Sequence, residues 1–224
     1  MNIHSIYGSV SPYFRRNRMR KFRSCIALAA NETVLDVGGY PWFWTETGLP
    51  NPITLLNVEF PPDTPGKNPA YNFVTGDGCQ LPFAADSFSV VFSNSVIEHV
   101  GTWERQQRFA AEARRVGRKL WVQTPAREFF IEPHLIAPFI HWLPMNWRRR
   151  LMRNFTLWGW FTRPSAAQVD AFLSEVRLLT RSEMRLLFPD CEILEEKFLG
   201  LTKGYTAYRT AASTASLPDA PDRV

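Results

Sequence analysis

Cysteine is scarce in this chain. Its 224 residues include three cysteines, Cys25, Cys79 and Cys191, which are far apart and form no CxxC pair. That spacing argues against a cysteine-based zinc cluster. An odd, sparse set of cysteines is typical of a reducing compartment, so a cytoplasmic protein is expected.

Long apolar runs are also missing. No run approaches the roughly 20 residues that a membrane-spanning helix needs, and the N-terminus lacks the apolar stretch of a signal peptide. The sequence therefore predicts a soluble protein. Its length favours one domain over residues 1–210, followed by a small, polar tail, 211–224, that is predicted to be disordered.

Positive charge is present and unevenly distributed. The formal net charge is +5. Basic residues cluster between positions 15 and 23 and again between 148 and 153. Solvated helix faces account for such clusters, and so does contact with an anionic surface, either membrane lipid or nucleic acid.

Short apolar segments alternate with helical patterns over the first half of the chain. Strands are predicted at 33–37, 53–60, 72–75, 88–93 and 119–125, and helices at 11–30, 103–116 and 182–188. Ser11 and Ser182 are the predicted caps of the first and last helix, with Pro12 in the first turn. Near-continuous apolar strands predict a parallel sheet covered on both faces, an α/β fold. The aromatic and arginine-rich segment 126–170 is predicted to be a lid-like insertion, and 191–198 with 204–210 a C-terminal hairpin.

The segment TVLDVGGYPWFWTE, residues 33–46, follows the first strand pattern with Gly38 and Gly39. Two glycines at the carboxyl end of a strand let the backbone approach a ligand closely. The G-x-G-x-x-G of a pyrophosphate loop is absent, because Tyr40 and Phe43 stand where small residues would be. The pattern favours a ligand without a pyrophosphate, and a plain strand-to-helix turn remains an alternative.

Polar residues also stand at or just after the ends of the next three strand patterns. Glu59, with Asn57 as an alternative, is placed to bind ribose hydroxyls, since an acid there lies about twenty residues beyond the glycines. Asp77 is placed to accept a hydrogen bond from an exocyclic adenine amine, with the Gly78 backbone beside the ring. Asn94 ends the fourth strand at the same edge.

Three segments together resemble class I S-adenosylmethionine-dependent methyltransferases, of the group called methyltransferase type 11. They are VLDVGG, GDGCQLPFAADSFSVVFSNSVIEHV and ARRVGRKLWVQTP. The resemblance implies a Rossmann-like, seven-stranded, mostly parallel sheet whose last strand is antiparallel, with S-adenosylmethionine as cofactor. It implies cofactor contacts from Asp36, Gly38, Gly39, Asn57 or Glu59, Asp77, Gly78 and Asn94. The chain departs from the family at Tyr40–Trp42, where small residues are usual.

Histidines supply the candidate catalytic groups. His99 follows Glu98 beyond the fourth strand, and His134 lies near Glu132 in the predicted lid; both are predicted to be catalytic. Glu132, His134 and His141 invite a metal interpretation, but their spacing is not that of a metal site, so no metal is expected.

The predicted reaction is in-line transfer of a methyl group to a small-molecule or a glycan- or lipid-linked acceptor. Aromatics and arginines over 135–161 fit a folded lid and also peripheral membrane contact. Three alternatives remain: a non-catalytic nucleoside-binding module, an NAD-dependent oxidoreductase and a nucleic-acid methyltransferase. The last is disfavoured because no Pro-Pro-aromatic motif follows Asn94.

Overall fold

The computed structural model describes residues 3–61, 64, 70–132 and 134–210, and residues 3–13 by their backbone alone. The tail predicted to be disordered lies outside these residues. The strands are β1 (Val34–Val37), β2 (Ile53–Asn57), β3 (Tyr71–Thr75), β4 (Phe88–Asn94), β5 (Gly117–Pro125), β6 (Ile131–Glu132), β7 (Ala137–Pro138), β8 (Glu192–Phe198) and β9 (Leu201–Arg209). The helices are α1 (Ile3–Ile26), α2 (Pro41–Thr45), α3 (Trp103–Val116), α4 (Met145–Phe155), α5 (Leu157–Thr162), α6 (Ala166–Glu175) and α7 (Arg181–Leu187).

The main sheet has seven strands in the order β3-β2-β1-β4-β5-β9-β8. Strands β1 to β5 pair in parallel, and β9 runs antiparallel to both β5 and β8. Both the predicted sheet and its antiparallel last strand are confirmed. The register pairs Val37 with Leu56 and Asn57 with Thr75, so β1, β2 and β3 end at one level. We call the edge formed by the carboxyl ends of β1 to β5 the carboxyl edge.

Alternating side chains of the buried strands supply two cores. Leu35, Val37 and their counterparts on β4 and β5 face α3 and α7, while Val34 and its counterparts face α1 and α2. Helix α3 fits its face because Phe109, Ala110 and Ala113 recur at helical spacing and are all buried. The expected cover on both faces is thus present.

Two helix starts differ from the sequence predictions. Helix α1 begins at Ile3, so Ser11 and Pro12 lie within it. A proline removes one helical hydrogen bond locally, and here the helix continues across it. Helix α7 is capped by Thr180, whose side chain accepts from the Glu183 backbone while Glu183 binds the Thr180 N–H in return. Ser182 is the second residue of the helix, between the two residues of this box. Strand β2 is shorter than predicted and ends at Asn57.

Between β5 and α7 the chain forms the β6–β7 hairpin and helices α4, α5 and α6, and we call residues 126–175 the lid. The lid has a small core of its own, formed by Leu135, Ala137, Ile140, Met152 and Val169. Helix α6 crosses the boundary predicted at residue 170 and ends at Glu175. Among the described residues, no helix has both the length and the apolar content to cross a bilayer.

Candidate functional site

The loop after β1 turns sharply at the carboxyl edge. Gly38 has a φ of 83°, and a Cβ there would lie 2.4 Å from the side chain of Val96. A Cβ on Gly39 would lie 1.7 Å from Oδ2 of Asp36. Any side chain at either position would therefore force the loop outward. The Gly38 N–H also donates to the Leu56 carbonyl at 2.7 Å, so the loop is tight and closely held.

Asp36 is buried beneath this loop. The indole Nε1–H of Trp44 donates to its Oδ2 at 2.6 Å. Burial raises the pKa of Asp36 to about 7, and the Trp44 hydrogen bond only partly opposes that rise. The carboxyl is thus held by a partner from the aromatic run Tyr40–Trp44.

The aromatic run itself forms α2 and packs inward. Phe43 and Trp44 are buried against Phe22 and Phe92, whereas Trp42 is exposed with the Arg15 guanidinium 4.8 Å from its ring. Helix α2 has five residues and no side-chain cap. Phe43 and Trp44 therefore belong to the core beside the loop, whereas Trp42, the last residue of the departure from the family, does not.

Asn57 and Glu59 have separate positions at the end of β2. The Asn57 amide donates to the Gly39 carbonyl at 2.9 Å, which holds the glycine loop. Glu59 is exposed, and no hydrogen bond or ion pair reaches its side chain from the residues that the structure describes. Of the two candidates for a ribose contact, Glu59 has the exposed carboxylate.

Asp77 and Gly78 lie beyond β3, as predicted from sequence, but Asp77 has partners. Its carboxylate accepts from Cys79 N–H at 2.9 Å and from Arg105 at 3.0 Å. Partial burial acts to raise the pKa of Asp77, yet these hydrogen bonds outweigh it and the pKa lies below its usual value. A Cβ on Gly78 would come within 2.8 Å of Phe109. An exocyclic adenine amine that donates to the Asp77 carboxylate would share this acceptor with Arg105.

Asn94 closes this side of the site at the end of β4. Its Oδ1 accepts from Arg18 of α1 at 3.0 Å, and Arg18 also binds Glu196 at 2.6 Å. Part of the N-terminal basic cluster is therefore used within the fold.

Glu98, His99, Glu132 and His134 meet on the other side of β4. The His99 and His134 ring centroids are 4.6 Å apart, and Nδ1 of His134 lies 2.7 Å from Oε1 of Glu132. Glu98 is fully buried; its Oε2 accepts from Thr124 at 2.9 Å, and its Oε1 has no partner among the described residues.

The protonation of these groups follows from their surroundings. Burial lowers the pKa of His134, but the Glu132 carboxylate outweighs it and the pKa lies above its usual value. Partial desolvation, with His134 as a neighbour, lowers the pKa of His99 to about 4, although the residue as a whole remains exposed. Burial raises the pKa of Glu98.

A cavity of about 350 Å³ lies between Glu132 and the lid helices. Arg127, Arg148 and Arg177 line it, and Glu132 is the one carboxylate among its described lining residues. The Nδ1 of His141, also in the lining, is buried and has no partner among the described residues. The lining thus holds more cationic than anionic side chains, although Arg177 is ion-paired with Glu183.

The structure brings the predicted residues together in two groups. Asp36, Gly38, Gly39, Asn57, Glu59, Asp77, Gly78 and Asn94 lie along the ends of β1 to β4, and His99 and His134 lie beyond β4 under the lid. Sequence reasoning did not anticipate the roles of Glu98, Arg18 and Arg105. Glu98 carried a weak signal, since it precedes a candidate histidine, whereas the two arginines reach their partners from distant segments.

Residues 57–119 match the sequence model of a family described as a methyltransferase domain. An uncharacterized methyltransferase of Mycobacterium avium (strain 104) is 37% identical over 99 residues. That alignment covers 40% of this chain and 37% of the relative, so the chain spans little more than a third of the length of the curated relative it matches.

Solved structures share the fold at low identity. A chain from the complex between the Haloferax volcanii Trm112 methyltransferase activator and a methyltransferase has a TM-score of 0.52 and 11% identity, covering 93% of this chain and 97% of that one. The YcgJ protein of Bacillus subtilis has a TM-score of 0.51 and 14% identity, covering 83% and 71%. The sequence match over residues 57–119 and this sheet order make the chain similar to class I S-adenosylmethionine-dependent methyltransferases.

Proposed function

We propose that this chain transfers the methyl group of S-adenosylmethionine to a small-molecule acceptor, glycan- and lipid-linked precursors included. One observation carries the proposal: the sheet order places the Gly38–Gly39 loop after β1 and the Asp77–Gly78 turn after β3 at the same carboxyl edge as the β4 end at Asn94. The cofactor would lie along this edge, and the acceptor would meet it beside Asn94 from the side of the lid.

The residues of the carboxyl edge fit the cofactor. The loop at Gly38 and Gly39 has no side chain to obstruct its methionine part, and the exposed carboxylate of Glu59 suits two ribose hydroxyls. Asp77 and the Gly78 backbone are the proposed adenine contacts. Asn57 supports the site indirectly, because its amide holds the Gly39 carbonyl. When bound, the cofactor supplies an activated methyl group on a sulfonium ion.

The chain's own contribution to the reaction is positioning. The acceptor's oxygen or nitrogen bonds to the methyl carbon as the carbon–sulfur bond breaks, and that electron pair stays on sulfur. Alignment of the two reactants and exclusion of water lower the barrier. His99 and His134 are the proposed acceptor contacts, placed to take the acceptor's proton.

Charge in the cavity favours an acceptor with an anionic group. Burial lowers the pKa of Arg148, and repulsion from the nearby Arg127 charge lowers it further. A carboxylate or phosphate bound between them would relieve that repulsion. Arg148 is already held by the Leu143 carbonyl at 2.7 Å, so Arg127 is the more available donor.

Calorimetry with S-adenosylhomocysteine and with NAD tests the cofactor assignment. We expect binding of S-adenosylhomocysteine by the unmodified chain, no binding of NAD, and strong loss of binding in Gly39→Ala. Binding of NAD alone would overturn the proposal and favour an oxidoreductase. If neither nucleotide binds, methyl transfer by this chain is also refuted.

The outer surface of the lid supports a proposal of peripheral membrane contact. Its exposed aromatic side chains are Phe139, Trp142, Trp147, Phe155, Trp160 and Phe161. Arg149, Arg150 and Arg153 on α4 are exposed as well, with Arg149 ion-paired to Asp170. This combination suits an anionic interface. Co-sedimentation with phosphatidylglycerol vesicles, but not with phosphatidylcholine vesicles, is the expected result, and loss of binding in Trp147→Ala/Trp160→Ala checks the surface.

A further inference from the structure

Three potential metal ligands converge where the lid meets the carboxyl edge. A carboxylate oxygen of Glu98 and one ring nitrogen each of His99 and His134 lie within 4.8 Å of one another. We call these three residues the histidine cluster. Glu98 and His99 belong to the turn after β4, whereas His134 belongs to the lid. The cluster therefore joins two parts of the fold that are distant in sequence.

The buried carboxylate of Glu98 is only half satisfied. Thr124 donates to its Oε2, while Oε1 has no hydrogen-bond partner among the described residues. A buried carboxylate oxygen without a hydrogen-bond partner is costly, since it has lost the hydrogen bonds that water would give it. A cation between this oxygen and the two imidazoles would remove that cost.

An outer contact already orients one of the ligands, His134. Nδ1 of His134 lies 2.7 Å from Glu132, and the second oxygen of Glu132 accepts from the Leu135 backbone at 2.5 Å. With Nδ1 occupied, Nε2 of His134 is left to bind an ion. A carboxylate behind a histidine ligand, fixing its tautomer and ring orientation, is common around metal ligands.

We propose that the histidine cluster binds one divalent transition-metal ion, of which zinc is the best fit. Two imidazoles and one carboxylate suit zinc, whereas Mg²⁺ and Ca²⁺ prefer oxygen ligands. Ligands about 2.1 Å from a zinc ion in a tetrahedron are about 3.4 Å apart, so the cluster needs only side-chain adjustments of about 1 Å. This proposal replaces the sequence expectation that no metal is present.

Three protein ligands leave a coordination position open. Catalytic zinc sites have this composition, with water or substrate in the fourth position. Here the open position would take an oxygen of the acceptor. The two histidines would then bind the ion, and the acceptor's proton would pass to solvent water and not to a histidine. This role in the reaction rests on the proposed function, but ion binding does not and is measured without a methyl donor.

Calorimetric titration with zinc chloride tests the proposal. The chain is prepared without a histidine tag and treated with a chelator beforehand. We expect about one equivalent of bound zinc and no competition from excess Mg²⁺. His134→Ala and Glu98→Gln should weaken binding by more than about 100-fold, and Glu132→Gln by about 10- to 100-fold, because it loses only the outer contact. His4→Ala, which alters a histidine outside the cluster, should bind as the unmodified chain does.

Failure of the unmodified chain to bind zinc, or undiminished binding by folded His134→Ala and Glu98→Gln, would overturn the proposal. If circular dichroism shows that both variants are unfolded, cobalt(II) added to the unmodified chain decides. Intense visible bands from a four- or five-coordinate ion support the cluster, and the weak spectrum of a hydrated ion refutes it. Binding of S-adenosylhomocysteine, measured separately, keeps this result distinct from the fate of the cofactor assignment.

Discussion

The two sides of the carboxyl edge are built differently. On the side of β1 to β3, the site is shaped by backbone, by Gly38 and Gly39, and by side chains within a few residues of a strand end. Beyond β4, it is formed by side chains from the turn after β4, the end of β5 and the lid. The first side has a fixed shape, and we call it the cofactor side because we propose that it binds S-adenosylmethionine. The second, which we call the acceptor side, has a charged surface whose chemistry depends on individual residues.

Titration of Asp36 should give the largest effect on the cofactor side. Its pKa is about 7 in the folded chain and near 3.8 when unfolded. Above pH 4 the unfolded chain releases this proton first, so the free energy of unfolding should fall as pH rises and level off beyond pH 7. A difference of three pKa units corresponds to about 4 kcal/mol. Urea unfolding at pH values from 4 to 8 measures it.

Asp36→Asn is the matched control for that titration. The amide oxygen can still accept from Trp44, but the new side chain carries no titrating proton. This variant should lose most of the fall in stability between pH 4 and 7. An unchanged pH profile in the variant would mean that other groups cause the dependence.

The glycine loop should be the next most sensitive feature. Gly39→Ala should lower the free energy of unfolding by about 3 kcal/mol, since the new methyl group would collide with the Asp36 carboxylate. It should also abolish S-adenosylhomocysteine binding. Gly76→Ala is the comparison at the same edge, because its Cβ would meet only the flexible end of Leu56 at 3.2 Å. Equal losses in both variants would contradict a special role for the loop.

Most of the sheet could be predicted from the sequence, because the sequence patterns that indicate strands are local. Apolar runs such as Val34–Val37 fix the strands, and helix α3 has the predicted bounds of residues 103–116. The lid was less predictable. Its helices pack on a small core of their own. Exposed aromatic residues on α4 and α5 also interrupt the regular spacing of apolar residues by which a helix is recognised in a sequence.

The candidate site likewise has a part that local sequence patterns predict and a part that they do not. Gly38, Gly39 and Glu59 follow strand ends, so their position could be predicted from the strand pattern. The partnership of Arg105 with Asp77, or of Thr124 with Glu98, depends on tertiary packing between segments more than twenty residues apart. No local pattern encodes such a contact.

Asn57 and Glu59 provide a smaller, paired test of how the cofactor side works. Asn57→Ala removes the hydrogen bond to the Gly39 carbonyl and should cost about 1 kcal/mol of stability. Glu59→Gln alters an exposed side chain and should leave stability unchanged while weakening S-adenosylhomocysteine binding about tenfold. Chemical denaturation and calorimetry separate the two effects. Loss of stability in Glu59→Gln would assign it a structural role.

The ion pair between Arg105 and Asp77 should give the smallest change in stability. Both side chains are about two-fifths exposed, at 43% and 42%, so Arg105→Ala should change the free energy of unfolding by less than about 1 kcal/mol. Removing the arginine frees the Asp77 carboxylate for an exocyclic amine, so S-adenosylhomocysteine should bind at least as well as before. Asp77→Ala removes the acceptor and should weaken binding several-fold. If Arg105→Ala weakens binding as much as Asp77→Ala does, Arg105 itself contacts the nucleoside, and the cofactor side depends on a long-range side chain as the acceptor side does.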